Sequence, residues 1–255
     1  MFIFNRKLDL LNKVAFIKFI FIPQTLILRL TCLVAFVLFY FLMNFLRSQT
    51  VTAYIQSMSW ERTNFVILSG KRKSGKDYVA HQLSSRLSAS GISVSIIHLS
   101  EPIKRAYARL HDLDMDLLMS SAAYKEDYRT EMVRWGEEWR NQDPEIFCRE
   151  ALNQVLTISE PPAVIIVADA RRPSDVAFFH RISSPCRTAL HLRIFASEAT
   201  RRARGWQPVP EVDEADTECA LDDAPYDLLV VNENSESLDK SMASVVSLIL
   251  KSVNI

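Results

Sequence analysis

Gly70, Gly75 and Lys76 lie within LSGKRKSGKDYVA (Leu68–Ala80) at the spacing of a loop that binds phosphate: a glycine, four residues, then glycine and lysine. Such a loop works by aiming backbone N–H groups and a helix N-terminus at one anion. Glycine lets the phosphate approach the backbone, and the lysine neutralises the outer phosphates. Lys71, Arg72 and Lys73 add positive charge. The next position ordinarily carries Ser or Thr, whose hydroxyl meets Mg²⁺, but here it is Asp77. A carboxylate is a hard oxygen donor that holds Mg²⁺ directly or through water, and it suits a helix's first turn. The plainer alternative is a solvated basic turn capped by Asp77.

Three further clusters carry charge of the same kind. In VIIVADARR, Asp169 follows a buried apolar run, where a second Mg²⁺-orienting carboxylate belongs, and Arg171 and Arg172 come next. In YKEDYRTEMVRWGEEWR, Lys125 and Arg129 share a helix face at i, i+4, although Glu126, Asp127 and Glu131 could pair with them. Trp135 and Trp139 in that stretch read as packing. In SEATRRARGW, Arg201 and Arg204 stand at i, i+3 and could reach one polyanion together. One loop for a nucleotide polyphosphate, with arginines to spare, implies a second anionic ligand. A kinase whose acceptor already bears phosphate fits this pattern and needs no dedicated base.

These residues need elements to hold them. NFVILS (64–69) reads as a buried strand and 77–90 as a helix, with Val79, Leu83 and Leu87 on one face. Gly91 breaks that helix. Further strands are expected at 94–100, 163–170, 188–195 and 226–232, with helices at 173–182 and 237–253 and a helical, charge-rich stretch from Pro102 to about 156. Strands alternating with helices predict a three-layer α/β/α fold around a parallel five-stranded sheet. The phosphate loop then lies between a strand and a helix, the context that gives the motif its meaning.

The bulk composition removes other classes. Thirty basic and thirty acidic side chains give no net charge, which argues against a nucleic-acid partner. Cys32, Cys148, Cys186 and Cys219 are scattered without metal-ligand spacing, so a reduced compartment is expected. Only five glycines occur, and two are in the loop. Residues 1–58 form a separate hydrophobic extension ahead of a catalytic domain at 59–255. Its uncharged run Leu30–Leu46, extended back to residue 26, reads either as a membrane helix or as the product of an upstream start or exon. Membrane contact is expected only through this extension.

Together, SGKRKSGKD, YKEDYRTEMVRWGEEWR, DARRPSDV, RARGW and VDEADTECALD resemble the animal-type phosphomevalonate kinases, from about Asn64 to the C-terminus. The resemblance implies a P-loop fold of the nucleoside-monophosphate-kinase type with an Arg-rich lid. It implies transfer of the ATP γ-phosphate, with Mg²⁺, to 5-phosphomevalonate in isoprenoid and sterol synthesis, by a cytosolic monomer. By motif match, Gly70, Lys71, Arg72, Lys73, Ser74, Gly75, Lys76 and Asp77 hold ATP, and Lys73, Lys76, Arg171 and Arg172 are catalytic. Lys125, Arg129, Arg140, Arg171, Arg172 and Asn232 face the acceptor. Arg193, Arg201 and Arg204 close over ATP, and Asp77 and Asp169 attend the metal. Asp77 is then the family's own residue. Ala170 and Glu101 depart from the family pattern, which has Thr and Gly there, and the chain's last residues lack a peroxisomal tripeptide. A nucleoside monophosphate as acceptor, or a non-catalytic, membrane-anchored anion-binding role, are the competing readings.

Overall fold

The computed structural model describes Trp60 and residues 62–120, 122–156, 160–183 and 187–253. The hydrophobic extension and its expected membrane helix at 26–46 lie outside the described residues. Among the described residues, no helix is long and apolar enough to cross a membrane.

Five strands form one parallel sheet: β1 (Asn64–Ser69), β2 (Val94–Ile97), β3 (Val164–Val167), β4 (Ala189–Phe195) and β5 (Leu228–Val231). Their spatial order is β2-β3-β1-β4-β5, with every neighbouring pair parallel. The expected parallel five-stranded sheet is the one observed. β1 is central, and its two faces feed two different cores. Val66 and Leu68 pack with Val79, Leu83 and Leu87 of helix α1 (Lys76–Ala89). Phe65 and Ile67 pack on the other face with Trp60, Leu152, Phe178 and Phe179. Burial on both faces explains why NFVILS is continuously apolar and does not alternate. Each fully buried large side chain contributes about 1.5–3 kcal/mol.

α1 stops where glycine permits it. Gly91 takes φ 80°, its N–H donates to Ser88 O and the Ile92 N–H donates to Leu87 O. This is the paired closure of a helix end by a left-handed residue. The opposite core face is covered by α5 (Ile146–Leu156) and α6 (Pro173–Ile182), and α2 (Ser100–His111), α3 (Met115–Ser120) and α4 (Ala122–Gln142) lie between β2 and α5 in the chain. α2, α3 and α4 also share a small cluster of their own, built on Tyr107, Leu118 and Met132. Trp135 packs edge-on against Tyr107 and Trp139, as expected of packing residues, although Trp139 itself is exposed.

Two strands end three residues short of the sequence reading. The second strand ends at Ile97, three residues short of the expected Ser100. The Asp169 carboxylate accepts hydrogen bonds from the Leu99 and Ser100 amides (2.6 and 3.1 Å), turning the chain into α2. The third strand ends at Val167, because residues 168–170 bend to bring Asp169 there.

β1 is tied to β4 by a buried histidine. His191 Nδ1 donates to Pro225 O (2.8 Å), so Nε2 accepts from the Ser69 hydroxyl (2.7 Å). Burial lowers the His191 pKa below its ordinary 6.5, and the ring stays neutral in the fold. The unfolded chain therefore binds a proton that the native state does not, in the window from 6.5 down to the lowered native value. Stability is expected to fall as pH drops through that window. Denaturant titrations of the wild type and His191→Gln between about pH 5 and 7 should show a shallower slope for the variant.

Candidate active site at the carboxyl edge of the sheet

The connection from β1 to α1 leaves the sheet where β3 and β4 flank it on opposite sides. In an open parallel sheet, this switch point is where ligands enter. The backbone there is shaped for the task. Gly75 has φ 89°, and a side chain at that position would run into Asn232 Nδ2. A Cβ on Gly70 would come 2.5 Å from Ile194 O. The loop thus packs against β4 and the end of β5 with no room to spare. At its tip, exposed Lys73 is also left-handed, with φ 60°.

Lys76 folds back over the loop, its Nζ donating to Gly70 O (2.5 Å) and Lys71 O (3.3 Å). Burial, reinforced by the nearby Arg171 guanidinium, lowers its ammonium to about 7. Arg171 is itself depressed by burial, with Arg129 and Arg72 adding repulsion. Lys76, Arg171, Arg129 and Arg72 therefore crowd one crevice. Loop lysine and the arginine beyond β3 feel each other's charge, which the motif spacing alone could not guarantee.

The remaining expected residues fall into distinct groups. Asp77 is largely exposed in the first turn of α1, and its Oδ1 lies 3.3 Å from His98 Nε2. The hydrogen bond to His98 is the main cause that lowers the Asp77 pKa, so it is a carboxylate at neutral pH. Asp169 is buried, each oxygen already accepting one amide, so it anchors the crevice wall with a single remaining lone-pair direction per oxygen. Asn232 lies beneath the loop: its Nδ2 donates to Ser74 O (2.8 Å) and its own carbonyl accepts from Arg204 Nη2 (2.7 Å). Arg204 also reaches Ser74 O (3.1 Å), so Arg204 and Asn232 brace the loop from the β5 side. Ser74 Oγ is buried without a hydrogen-bond partner. Arg201 stacks on Trp206, 4.1 Å from the ring centroid, in the short helix α7 (Glu198–Ala203). Lys125 lies on α4, and its side chain is outside the described residues.

Arg140 does not reach the crevice as an open cation. Its Nη1 pairs with Asp175 (2.8 Å), and its guanidinium lies 5.1 Å from the Phe147 ring. Asp175 is wholly buried and does more. It accepts the Arg171 and Arg172 backbone amides at 3.0 Å each, fixing the turn that presents both arginines. Glu137 on α4 then takes Arg172 Nη2 at 2.6 Å.

A family model for phosphomevalonate kinase matches residues 68–185, the stretch from the phosphate loop through the paired arginines. A phosphomevalonate kinase of Drosophila melanogaster is 40% identical over 181 residues, which span 71% of this chain and 93% of that protein. The chain belongs to the phosphomevalonate kinase family. Among solved structures, an APS kinase from Mycobacterium tuberculosis aligns at 16% identity and a TM-score of 0.38, covering 74% of this chain and 98% of that one. A shikimate kinase from Aquifex aeolicus aligns at 14% and 0.37, covering 73% and 96%. Both likenesses are too slight to add to the family assignment.

Asp175, Glu137 and His98 are the site residues that sequence reasoning missed in this family member. Asp175 had one legible signal, its place three residues after Arg172 at the start of a helix with Pro173 in its first turn. Asp175→Ala is expected to destabilise the protein by about 3–5 kcal/mol, because it leaves buried Arg140 unpaired. Asp175→Asn, which keeps an acceptor for the two amides, should retain more of the fold. Urea unfolding of both variants checks the order.

Proposed function

We propose that this protein transfers the γ-phosphate of ATP to 5-phosphomevalonate, giving 5-diphosphomevalonate and ADP. The observation that carries the reading is the convergence of the phosphate loop with Arg171 from beyond β3, where Glu218 holds Arg171 through its carboxylate and Lys71 through its carbonyl. One cation belongs to a polyphosphate-binding loop, and the other lies beyond it where an acceptor would sit. A phosphoryl group passing between two anions needs positive charge on both sides and between them.

The donor side is the loop Gly70–Asp77, braced by Asn232 and Arg204. Its amides and the α1 N-terminus receive the phosphates, and Lys76 follows the transferring group. Bound phosphate supplies the negative charge that Lys76 lacks in the empty crevice, and so favours its charged form. Lys73 and Arg193 complete the donor side. The acceptor side is Arg171, Arg172 and Arg129, with Lys125 on the same helix as Arg129. Arg140 acts there through Asp175. The acceptor phosphomonoester has a second pKa of about 6, so a nucleophilic oxygen is present at neutral pH without a base. That oxygen attacks the γ-phosphorus, the bond to the β-phosphate oxygen breaks, and ADP leaves.

Among the described residues no group of three or more His, Cys, Asp or Glu could hold a metal by itself. The crevice fits Mg²⁺ carried in with ATP, because the exposed oxygens of Asp77 and the remaining lone pairs of Asp169 are hard donors. When bound, the ion would offset charge on the phosphates. We further propose that the protein acts as a single chain in the cytosol, serving isoprenoid and sterol synthesis. One chain supplies both sides of the crevice.

The test is ADP release by the full chain with ATP, Mg²⁺ and either phosphomevalonate or a nucleoside monophosphate. Turnover is expected with phosphomevalonate alone. Lys76→Met should reduce it by about 10²-fold or more, the scale for losing one group that stabilises transferring charge. Turnover with the nucleoside monophosphate alone would overturn the assignment of the acceptor.

A further inference from the structure

Five of the cations assigned to the two substrates, Lys71, Arg72, Arg171, Arg172 and Arg193, have carboxylate partners in one stretch of chain. Arg72 Nη1 meets Asp213 (3.4 Å), and Arg172 Nη1 meets Asp216 (3.5 Å). Arg171 Nη1 meets Glu218, and Asp222 bridges Lys71 (2.5 Å) and Arg193 (2.6 Å). Lys71 Nζ also donates to the Glu218 carbonyl. The segment 213–222 comprises the last residue of helix α8 (Pro210–Asp213), helix α9 (Asp216–Cys219) and the turn that follows. Four of its five carboxylates cover cations from the phosphate loop, from the end of β3 and from β4.

Burial shows that this is not a loose rim. The Glu218 side chain is 4% exposed and that of Asp213 is 18% exposed, against 88% for Asp216. Asp213 is also tied down by Trp206 Nε1 (3.1 Å) and the Val209 amide (2.7 Å). Glu218 and Asp213 are thus the inner contacts, Asp222 at 32% exposure is intermediate, and Asp216 is the outer one. A carboxylate and a phosphate oxygen compete for the same guanidinium or ammonium protons. The segment spans both sides of the crevice, so a ligand arriving on one side disturbs partners on the other.

We propose that residues 213–222 form a counter-anion strap that substitutes for substrate phosphate in the empty protein and couples the two substrate sites. Polyphosphate displaces Asp222 from Lys71 and Arg193. Because Glu218 lies on the same short segment, its hold on Arg171 is weakened in the same movement. The acceptor phosphate then meets a lower cost of entry, and by linkage the acceptor does the same for the nucleotide. The inference rests on the kinase reading for its second ligand. A fixed brace that merely orients the cations has the opposite signature, since removing its charge would weaken ligand binding.

The experiment is isothermal titration of the full chain with a non-hydrolysable ATP analogue and Mg²⁺, with and without saturating 5-phosphomevalonate. In the wild type, phosphomevalonate is expected to tighten analogue binding by about 5-fold or more, the lower end of ordinary coupling between sites. In Glu218→Gln/Asp222→Asn, the analogue alone should bind several-fold tighter than in the wild type, and the coupling should collapse towards unity. Asp222→Asn alone, at a half-exposed position, should move both quantities the same way and serves if the double variant does not fold. Weaker analogue binding in the variants, or coupling equal to that of the wild type, overturns the strap and leaves the kinase reading standing. No phosphomevalonate binding to the wild type overturns the kinase reading and the coupling with it.

Discussion

Cations can gather in a partly dry crevice only when negative charge is close to each of them. Lys76, Arg171, Arg129 and Arg72 repel one another there, and burial weakens the solvent's ability to relieve it. The structure answers this constraint twice. Permanent carboxylates hold the second rank in place: Asp175 on Arg140, Glu137 on Arg172. In the first rank, Arg72 and Arg171 are paired by Asp213 and Glu218 of the acidic segment 213–222, contacts that phosphate would displace. The family's substrates are both polyanions, so the residual field favours them over neutral metabolites.

The backbone contributes as much as the charges. Asn232 and Arg204 converge on one carbonyl, Ser74 O, and so hold the phosphate loop against β5. Asp169 secures the other wall by capping the start of α2. These buried polar contacts are made by side chains at the carboxyl ends of strands, so the parallel sheet is what brings them to one edge. A loop positioned in this way presents its amides without rearrangement, which is how preorganised sites stabilise transferring charge.

Much of this was legible in the sequence, for identifiable reasons. β1 and β4 are long or wholly apolar runs, and α6 begins at a proline, so their boundaries fell within a residue of expectation. The phosphate loop was legible because its spacing and its strand–helix context agree. Strand ends were harder. The capture of Leu99 and Ser100 by Asp169 joins positions about seventy residues apart, which no local pattern encodes. The same holds for the hydrogen bond from Asn232 to Ser74, whose partners are 158 residues apart. VDEADTECALD read as a family signature, but the pairing of its carboxylates with the phosphate loop, the turn after β3 and β4 emerges only in three dimensions. Arg140 was placed facing the acceptor by motif match, and a motif does not reveal a buried partner such as Asp175.

The central claim is that phosphate is both cargo and acceptor. The most direct measurement is the ³¹P spectrum of a reaction of the full chain with ATP, Mg²⁺ and 5-phosphomevalonate. The account predicts loss of the phosphomonoester signal and growth of a coupled diphosphate pair in step with ADP. ADP accompanied by inorganic phosphate, with the phosphomonoester signal intact, would contradict it.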